Sequence, residues 1–196
     1  MLSKLGVKSK HALDIGCGCM LLGFGLLRKF DLEYVGLDIL PSSKLQKYAE
    51  LISESAGKEL QVVRGSAEHI PFRGEFFDLI TAFDVLEHLE NPRVALIECS
   101  RIIRKDGLLV VSLPLENRLH RLARIFGGAL ISKPWRIGKR PSYHYAGEVK
   151  SYGEMVKRLG ENFMVFKSIY TPIGFASLIN VNGILFCYAR AFTFAF

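Results

Sequence analysis

Residues His11 to Met20 read HALDIGCGCM, and the next apolar run, Tyr34 to Asp38, closes on a second acid. An apolar strand ending in Asp14, a tight turn through Gly16, Cys17 and Gly18, and a second strand ending in Asp38 have the spacing of a nucleotide-cofactor site. Glycine accepts turn dihedrals that strain other residues, and it lets the backbone approach a ligand that a Cβ would exclude. Asp38 stands 20 residues beyond Gly18, a position from which a carboxylate reaches both hydroxyls of a ribose.

The residues around the turn narrow the choice of nucleotide. A phosphate-binding loop of the Walker type needs Lys followed by Ser or Thr, and Cys19-Met20-Leu21 supplies neither. A dinucleotide fingerprint needs a third small residue where Leu21 stands, and it has no use for an acid at position 14. The pattern D-x-G-x-G suits a cofactor without a pyrophosphate but with a cationic end. Asp14 would serve that end, either directly or through a held water.

A second set of chemical groups lies further on. Asp84, Glu87 and His88 form D-x-x-E-H. A helical turn starting at Asp84 would bring the three to one face. In that arrangement His88 is the candidate base, deprotonating a hydroxyl nucleophile as it attacks. The competing readings are a divalent-ion site and a plain structural turn. No metal is expected on balance, and the four cysteines contain no C-x-x-C pair.

Strand and helix signals alternate along most of the chain, which implies an α/β fold with a parallel sheet covered on both faces. Strands are expected at His11–Ile15, Tyr34–Asp38, Leu60–Arg64, Phe77–Phe83 and Gly107–Ser112. Helices are expected at Met20–Lys29, from Pro41 to about Ala56 with Gly57 as stop, and from an Asn91-Pro92 start to about Arg104. Ser151 and Glu154 form a capping box for a last helix ended by Gly160. Phe163–Tyr170 and Ile184–Ala189 complete the set as an antiparallel pair.

The segments Gly65–Phe72 (GSAEHIPF), Phe77–Leu89 (FDLITAFDVLEHL) and Leu96–Pro114 (LIECSRIIRKDGLLVVSLP) follow the glycine turn in order. Together, from about His11 to Pro114, they resemble the successive motifs of class I S-adenosylmethionine-dependent methyltransferases, in the branch that includes the ubiquinone and menaquinone methyltransferases. The resemblance implies a single domain over residues 1–196, built on a Rossmann-like, doubly wound sheet of seven strands. The sheet would be mostly parallel, with the antiparallel pair at the carboxyl-terminal end. It implies S-adenosylmethionine as cofactor and S-adenosylhomocysteine as product. By the same resemblance, Asp14, Gly16, Cys17 and Gly18 would line the methionine part and Asp38 would take the ribose. Ile39 would pack on adenine, Ser66, Ala67 and Glu68 would read the adenine edge, and Phe83 and Asp84 would border the sulfonium and the acceptor. Two positions depart from the family: Met20 replaces the usual third glycine, and Ser66 the usual Asp.

The acceptor implied is a small, hydrophobic molecule (a quinone, isoprenoid or lipid intermediate) methylated at oxygen or carbon. An RNA or protein acceptor, or a partner protein that has lost catalysis, are the alternatives. The insertion at about residues 115–145 bears on this. Between Leu115 and Arg140 seven basic residues face a single acid, Glu116, and Leu119, Leu122, Ala123 and Phe126 share one helical face. A basic amphipathic helix reads as a substrate lid or a membrane-surface element. Nucleic-acid binding is not expected, since no RNA-binding module or stacked aromatic platform accompanies the charge.

The chain has 196 residues, a formal charge of +7 and 49% hydrophobic residues, with a mean hydropathy of +0.22. Lys4, Lys8 and Lys10 precede a strand instead of an apolar leader core. A cytoplasmic location is expected, with peripheral membrane contact through the basic segment. Ser168–Ala189 carries no charge, but Pro172, Gly174, Asn180, Asn182 and Gly183 interrupt it. It is expected to be strand, loop and strand, with the loop Ile173–Val181 and the tail Phe192–Phe196 as candidates for a homodimer contact or a substrate wall.

Overall fold

A computed structural model of the chain describes residues 10–115, 152–172 and 181–189. In order along the chain these form β1 (His11–Ile15), α1 (Leu21–Lys29), β2 (Glu33–Asp38), α2 (Ser42–Ala56), β3 (Gln61–Arg64) and β4 (Phe77–Phe83). A single 3-10 turn (Leu86–His88), α3 (Pro92–Ile102) and β5 (Ile103–Leu115) follow, then α4 (Tyr152–Asn162), β6 (Phe163–Pro172) and β7 (Val181–Ala189). The insertion expected at residues 115–145 lies, apart from Leu115, outside the described residues, as do 173–180 and the tail.

The sheet order is β3-β2-β1-β4-β5-β7-β6. The first five of these strands are mutually parallel. β7 pairs antiparallel with both β5 and β6. Side chains alternate across the sheet and divide the core in two. Leu13 and Ile15 of β1 join Ile80, Ala82, Leu109 and Val111, under Leu96 and Cys99 of α3 and Met155 and Leu159 of α4. Ala12, Leu79, Leu108 and Val110 face the other way, under Leu26 and Leu27 of α1 and Leu45 and Ala49 of α2. The inner parallel strands β1, β4 and β5 are therefore buried on both faces, which is why they read as continuous apolar runs, while the edge strand β3 is only half-buried.

The local signals act as their chemistry requires. Asn91 caps α3, its side chain accepting from Val94 N at 3.4 Å, with Pro92 in the first turn. Gly57 ends α2 at φ 65°. Several boundaries differ from expectation, among them β7, which starts at Val181 and not at Ile184. α3 stops at Ile102, where the chain turns straight into β5. β5 runs from Ile103 to Leu115, longer than Gly107–Ser112, because Ile103 pairs with Phe77 of β4 at the near end and Leu113–Leu115 pair with β7 at the far end. α4 continues past Gly160 to Asn162, since nothing in its packing requires a stop before Phe163 is buried in the core. Among the described residues no helix is long and apolar enough to cross a membrane. All four cysteines are free.

Candidate active site

β1 and β4 are neighbours, but β1 leads on to β2 on one side while β4 leads on to β5 on the other. At such a switch point the loops leaving the carboxyl ends of the two strands diverge and open a crevice. One wall is the turn after β1. Gly16 and Gly18 lie at φ 69° and 50°, and Gly16 N and Cys17 N both donate to Leu37 O, at 2.8 and 3.2 Å. The other wall is the turn after β4. A Cβ on Gly16 would fall 2.1 Å from Val85 Cγ2, so the two walls touch there and only glycine fits. Gly18 differs. Among the described residues a Cβ there would meet nothing nearer than Gly16 O at 4.0 Å, so that part of the structure leaves the space over it open.

Asp38 fastens this turn from β2. Its Oδ2 accepts from Gly18 N at 2.9 Å and its Oδ1 from Leu40 N at 3.0 Å. Beside it Ile39 is 72% exposed, an apolar side chain held out over the carboxyl edge. Arg64 Nε donates to Ile39 O at 3.3 Å, tying β3 to the same corner.

Asp14 is not in the crevice. It is 4% exposed and points into the layer between the sheet and α1, because its place in the strand alternation sends it to the same face as Ala12. Tyr34 Oη donates to its Oδ2 at 2.5 Å and Thr81 Oγ1 to its Oδ1 at 2.7 Å. Burial pushes its carboxyl up to about 6, against the lowering effect of the two hydroxyls. Burial likewise pushes the Cys17 thiol up to about 12, so Cys17 packs as an apolar group and is no nucleophile.

Ser66, Ala67 and Glu68 follow β3 in a turn. Ser66 Oγ accepts from Glu68 N at 3.2 Å, and Ala67 is buried. The carboxylate of Glu68 has a different partner from the one the sequence implied: Glu68 Oε1 accepts from Asn91 N at 2.8 Å, holding the start of α3. The loop is anchored from α3 as well. Glu98 Oε2 accepts from Ile70 N, while Arg101 donates to Ile70 O at 3.0 Å and Phe72 O at 2.8 Å and pairs with Glu98.

The D-x-x-E-H group does not share one face. Asp84 adopts φ 53° and lies ahead of a turn that is 3-10, not α-helical. Ser112 Oγ donates to Asp84 Oδ1 at 2.6 Å. Glu87 is buried, with neither carboxylate oxygen hydrogen-bonded, while His88 and Asp84 are exposed. Burial pushes Glu87 up to about 7. Among the described residues no group of three or more His, Cys, Asp or Glu is placed to hold a metal ion. Phe83, at the end of β4, is half-buried against the α1–α2 side of the core.

A protein-family model described as a methyltransferase domain matches residues 13–111, half of the chain. The chain belongs to the class I S-adenosylmethionine-dependent methyltransferase family. Its relatives include the ubiquinone biosynthesis O-methyltransferase of Maricaulis maris, 28% identical over 130 residues, covering 66% of this chain and 48% of the relative. The protein of the same description from Cereibacter sphaeroides is 30% identical over 123 residues, covering 63% and 47%. The chain thus spans about half the length of the curated relatives it matches. Among solved structures, the N-methyltransferase NodS of Bradyrhizobium japonicum, in complex with S-adenosylhomocysteine, has the same fold. It superposes with a TM-score of 0.68 at 15% identity, over 97% of this chain and 83% of that one.

As a member of the family this methyltransferase domain accommodates both departures in its sequence. Met20 adopts φ 61° as the N-cap of α1. It thereby takes the left-handed conformation that a glycine would take freely, at a cost of about 1–2 kcal/mol. Its side chain is fully buried in the α1–α2 core, and such burial offsets a strain of that size. Ser66 keeps the turn after β3 closed on Glu68 N. Tyr34, Val85, Ser112 and Asn91 were not legible in the sequence as partners of the site residues. Thr81 alone left a trace, as a polar residue inside the apolar run of β4.

Proposed function

We propose that this chain transfers the methyl group of S-adenosylmethionine to an oxygen or carbon atom of a small hydrophobic acceptor of the quinone, isoprenoid or lipid kind. One observation carries the cofactor reading. The turn after β1 is folded by two positive-φ glycines, has open space over Gly18, and is fastened by the carboxylate of Asp38. That combination fits a nucleoside whose backbone contacts are close and whose ribose needs an acceptor pair.

In this reading the cofactor supplies an already activated methyl group. The residues of the chain bind and orient it. Asp38 turns the outward lone pairs of its two oxygens to the ribose hydroxyls. Ile39 lies flat against adenine, and Ser66 with Ala67 borders its edge. Glu68 acts at one remove, by setting α3 through Asn91. Gly16 and Gly18 admit the methionine part to the backbone, and Phe83 and Asp84 border the acceptor. His88, exposed at the turn beyond them, takes the acceptor proton where the acceptor is a hydroxyl. Aligning nucleophile and methyl group, with water kept out, supplies most of the catalysis.

The acceptor class rests on relatives described as ubiquinone biosynthesis O-methyltransferases and on the basic amphipathic segment within 115–145. We assign that segment to a hydrophobic acceptor or to the membrane surface that holds it. A cytoplasmic protein with peripheral membrane contact and a homodimer contact through the apolar carboxyl-terminal segments belong to the same proposal.

Calorimetric titration tests the cofactor reading directly. Wild-type protein is expected to bind S-adenosylmethionine and S-adenosylhomocysteine at micromolar concentration. Asp38→Ala is expected to weaken both by about tenfold or more, roughly 1.4 kcal/mol. No binding by the wild type sinks the proposal.

A further inference from the structure

Asp14 places a charge where the fold otherwise excludes charge. It lies at the middle of the sheet, opposite Gly36 on β2 and Thr81 on β4. Its two hydrogen-bond donors, Tyr34 and Thr81, are neutral hydroxyls. The cluster is sealed from behind: a Cβ on Gly23 would come within 2.6 Å of the Tyr34 ring and 2.9 Å of its hydroxyl, so α1 lies directly on the phenol. In front of it Cys17, the middle residue of the glycine turn, folds its thiol over Gly36. A Cβ there would lie 2.7 Å from Cys17 Sγ. The carboxylate therefore sits one layer beneath the turn, within electrostatic reach of Cys17 and of Asp38. Among the described residues the groups that act on it (Tyr34, Thr81, Cys17 and Asp38) include no cation. A buried carboxylate held by hydroxyls without a counter-ion lowers the potential of the space above it.

S-adenosylmethionine differs from S-adenosylhomocysteine by the methyl group and by the positive charge of the sulfonium. We infer that Asp14, held by Tyr34 and Thr81, is a buried counter-charge that makes this site favour the cationic cofactor over its uncharged thioether product. The inference rests on the cofactor reading above. It gives Asp14 a role without contact: the residue selects by charge through the turn, and it favours exchange of spent cofactor for fresh.

Because burial raises the Asp14 carboxyl to about 6, the preference has a pH signature. Below that value the carboxyl is neutral and the two ligands compete on contacts alone. Above it the charge is present and the sulfonium gains. The groups packed on Asp14 do not mimic this, and Glu87 in the wall after β4, which is raised to about 7, is removed by Glu87→Gln in every protein titrated, the otherwise wild-type one included. Tyr34 is pushed well above its ordinary range and Cys17 up to about 12.

The test is titration of both ligands from about pH 5 to about pH 8. The wild-type preference for S-adenosylmethionine is expected to rise about tenfold, the scale of a unit-charge interaction across roughly 10 Å of protein. In Asp14→Asn the ratio should not change with pH. In Tyr34→Phe, which keeps the ring against Gly23 but removes a hydrogen bond to the ionised form, the rise should persist with its midpoint at higher pH. A flat wild-type ratio, or the same rise in Asp14→Asn, overturns the inference. If Asp14→Asn does not fold, an unmoved midpoint in Tyr34→Phe overturns it. Binding of both ligands with a pH-independent ratio sinks this inference alone. Absence of binding at every pH sinks the cofactor reading first and this inference with it.

Discussion

At the scale of single residues the two glycines of the turn do different work. Gly16 faces Val85, while Gly18 faces open space. Gly16→Ala forces a side chain into a left-handed backbone and into contact with Val85. A loss of about 2–4 kcal/mol of stability is expected, measured as a lowered urea midpoint. Gly18→Ala carries only the backbone strain, about 1–2 kcal/mol. It is nevertheless expected to weaken S-adenosylmethionine binding in calorimetry by more than its stability loss explains, because its Cβ occupies the ligand's space. Equal and purely thermal effects of the two substitutions would show that nothing approaches Gly18.

At the scale of elements, the loop between β3 and β4 has few regular backbone bonds of its own and is held by α3. Arg101 reaches the carbonyls of Ile70 and Phe72 while Glu98 takes the Ile70 amide. The pair is mutually reinforcing: the guanidinium of Arg101 holds the Glu98 carboxyl below its usual range, and Glu98 raises Arg101. Because Arg101 is partly solvated, the pair is worth less than a buried one. Arg101→Ala is expected to cost about 1–2 kcal/mol. It should speed amide hydrogen exchange at residues 65–76 while leaving β1 and β4 protected. Exchange unchanged in that loop would refute the anchoring role.

At the scale of the whole molecule, two buried carboxyls make stability depend on pH. Asp14 is raised to about 6 and Glu87 to about 7, both chiefly by burial. Each native carboxyl binds its proton more tightly than the unfolded chain does, so its contribution is fully present below about pH 4 and is lost as pH rises through its folded value. Thermal stability is therefore expected to fall between about pH 4 and pH 7, by on the order of 2–3 kcal/mol for each group over the whole window. Glu87→Gln should flatten the upper part of that fall and raise the melting temperature at pH 8 more than at pH 5. A melting temperature that rises across this range in the wild type would contradict the burial of both groups.

The parallel α/β order, the glycine turn and the acid after β2 are legible in the chain because they are local: strand periodicity, positive φ and a fixed spacing are written within one strand-helix-strand unit, about thirty residues. The Asn91-Pro92 start and the Gly57 stop were equally legible for the same reason. What each side chain faces was decided only by tertiary structure. The sequence shows Asp14 at the strand end, but only the sheet brings it to Tyr34 and Thr81, 20 and 67 residues away. That Asn91 N donates to Glu68 Oε1 could not be read from the sequence. Asp84, Glu87 and His88 read as one face until the left-handed backbone at Asp84 and a 3-10 turn separate them. Each of these outcomes depends on residues distant in sequence arriving at one point, and on the competition between burying a carboxyl and finding it a donor. No short window of sequence contains either.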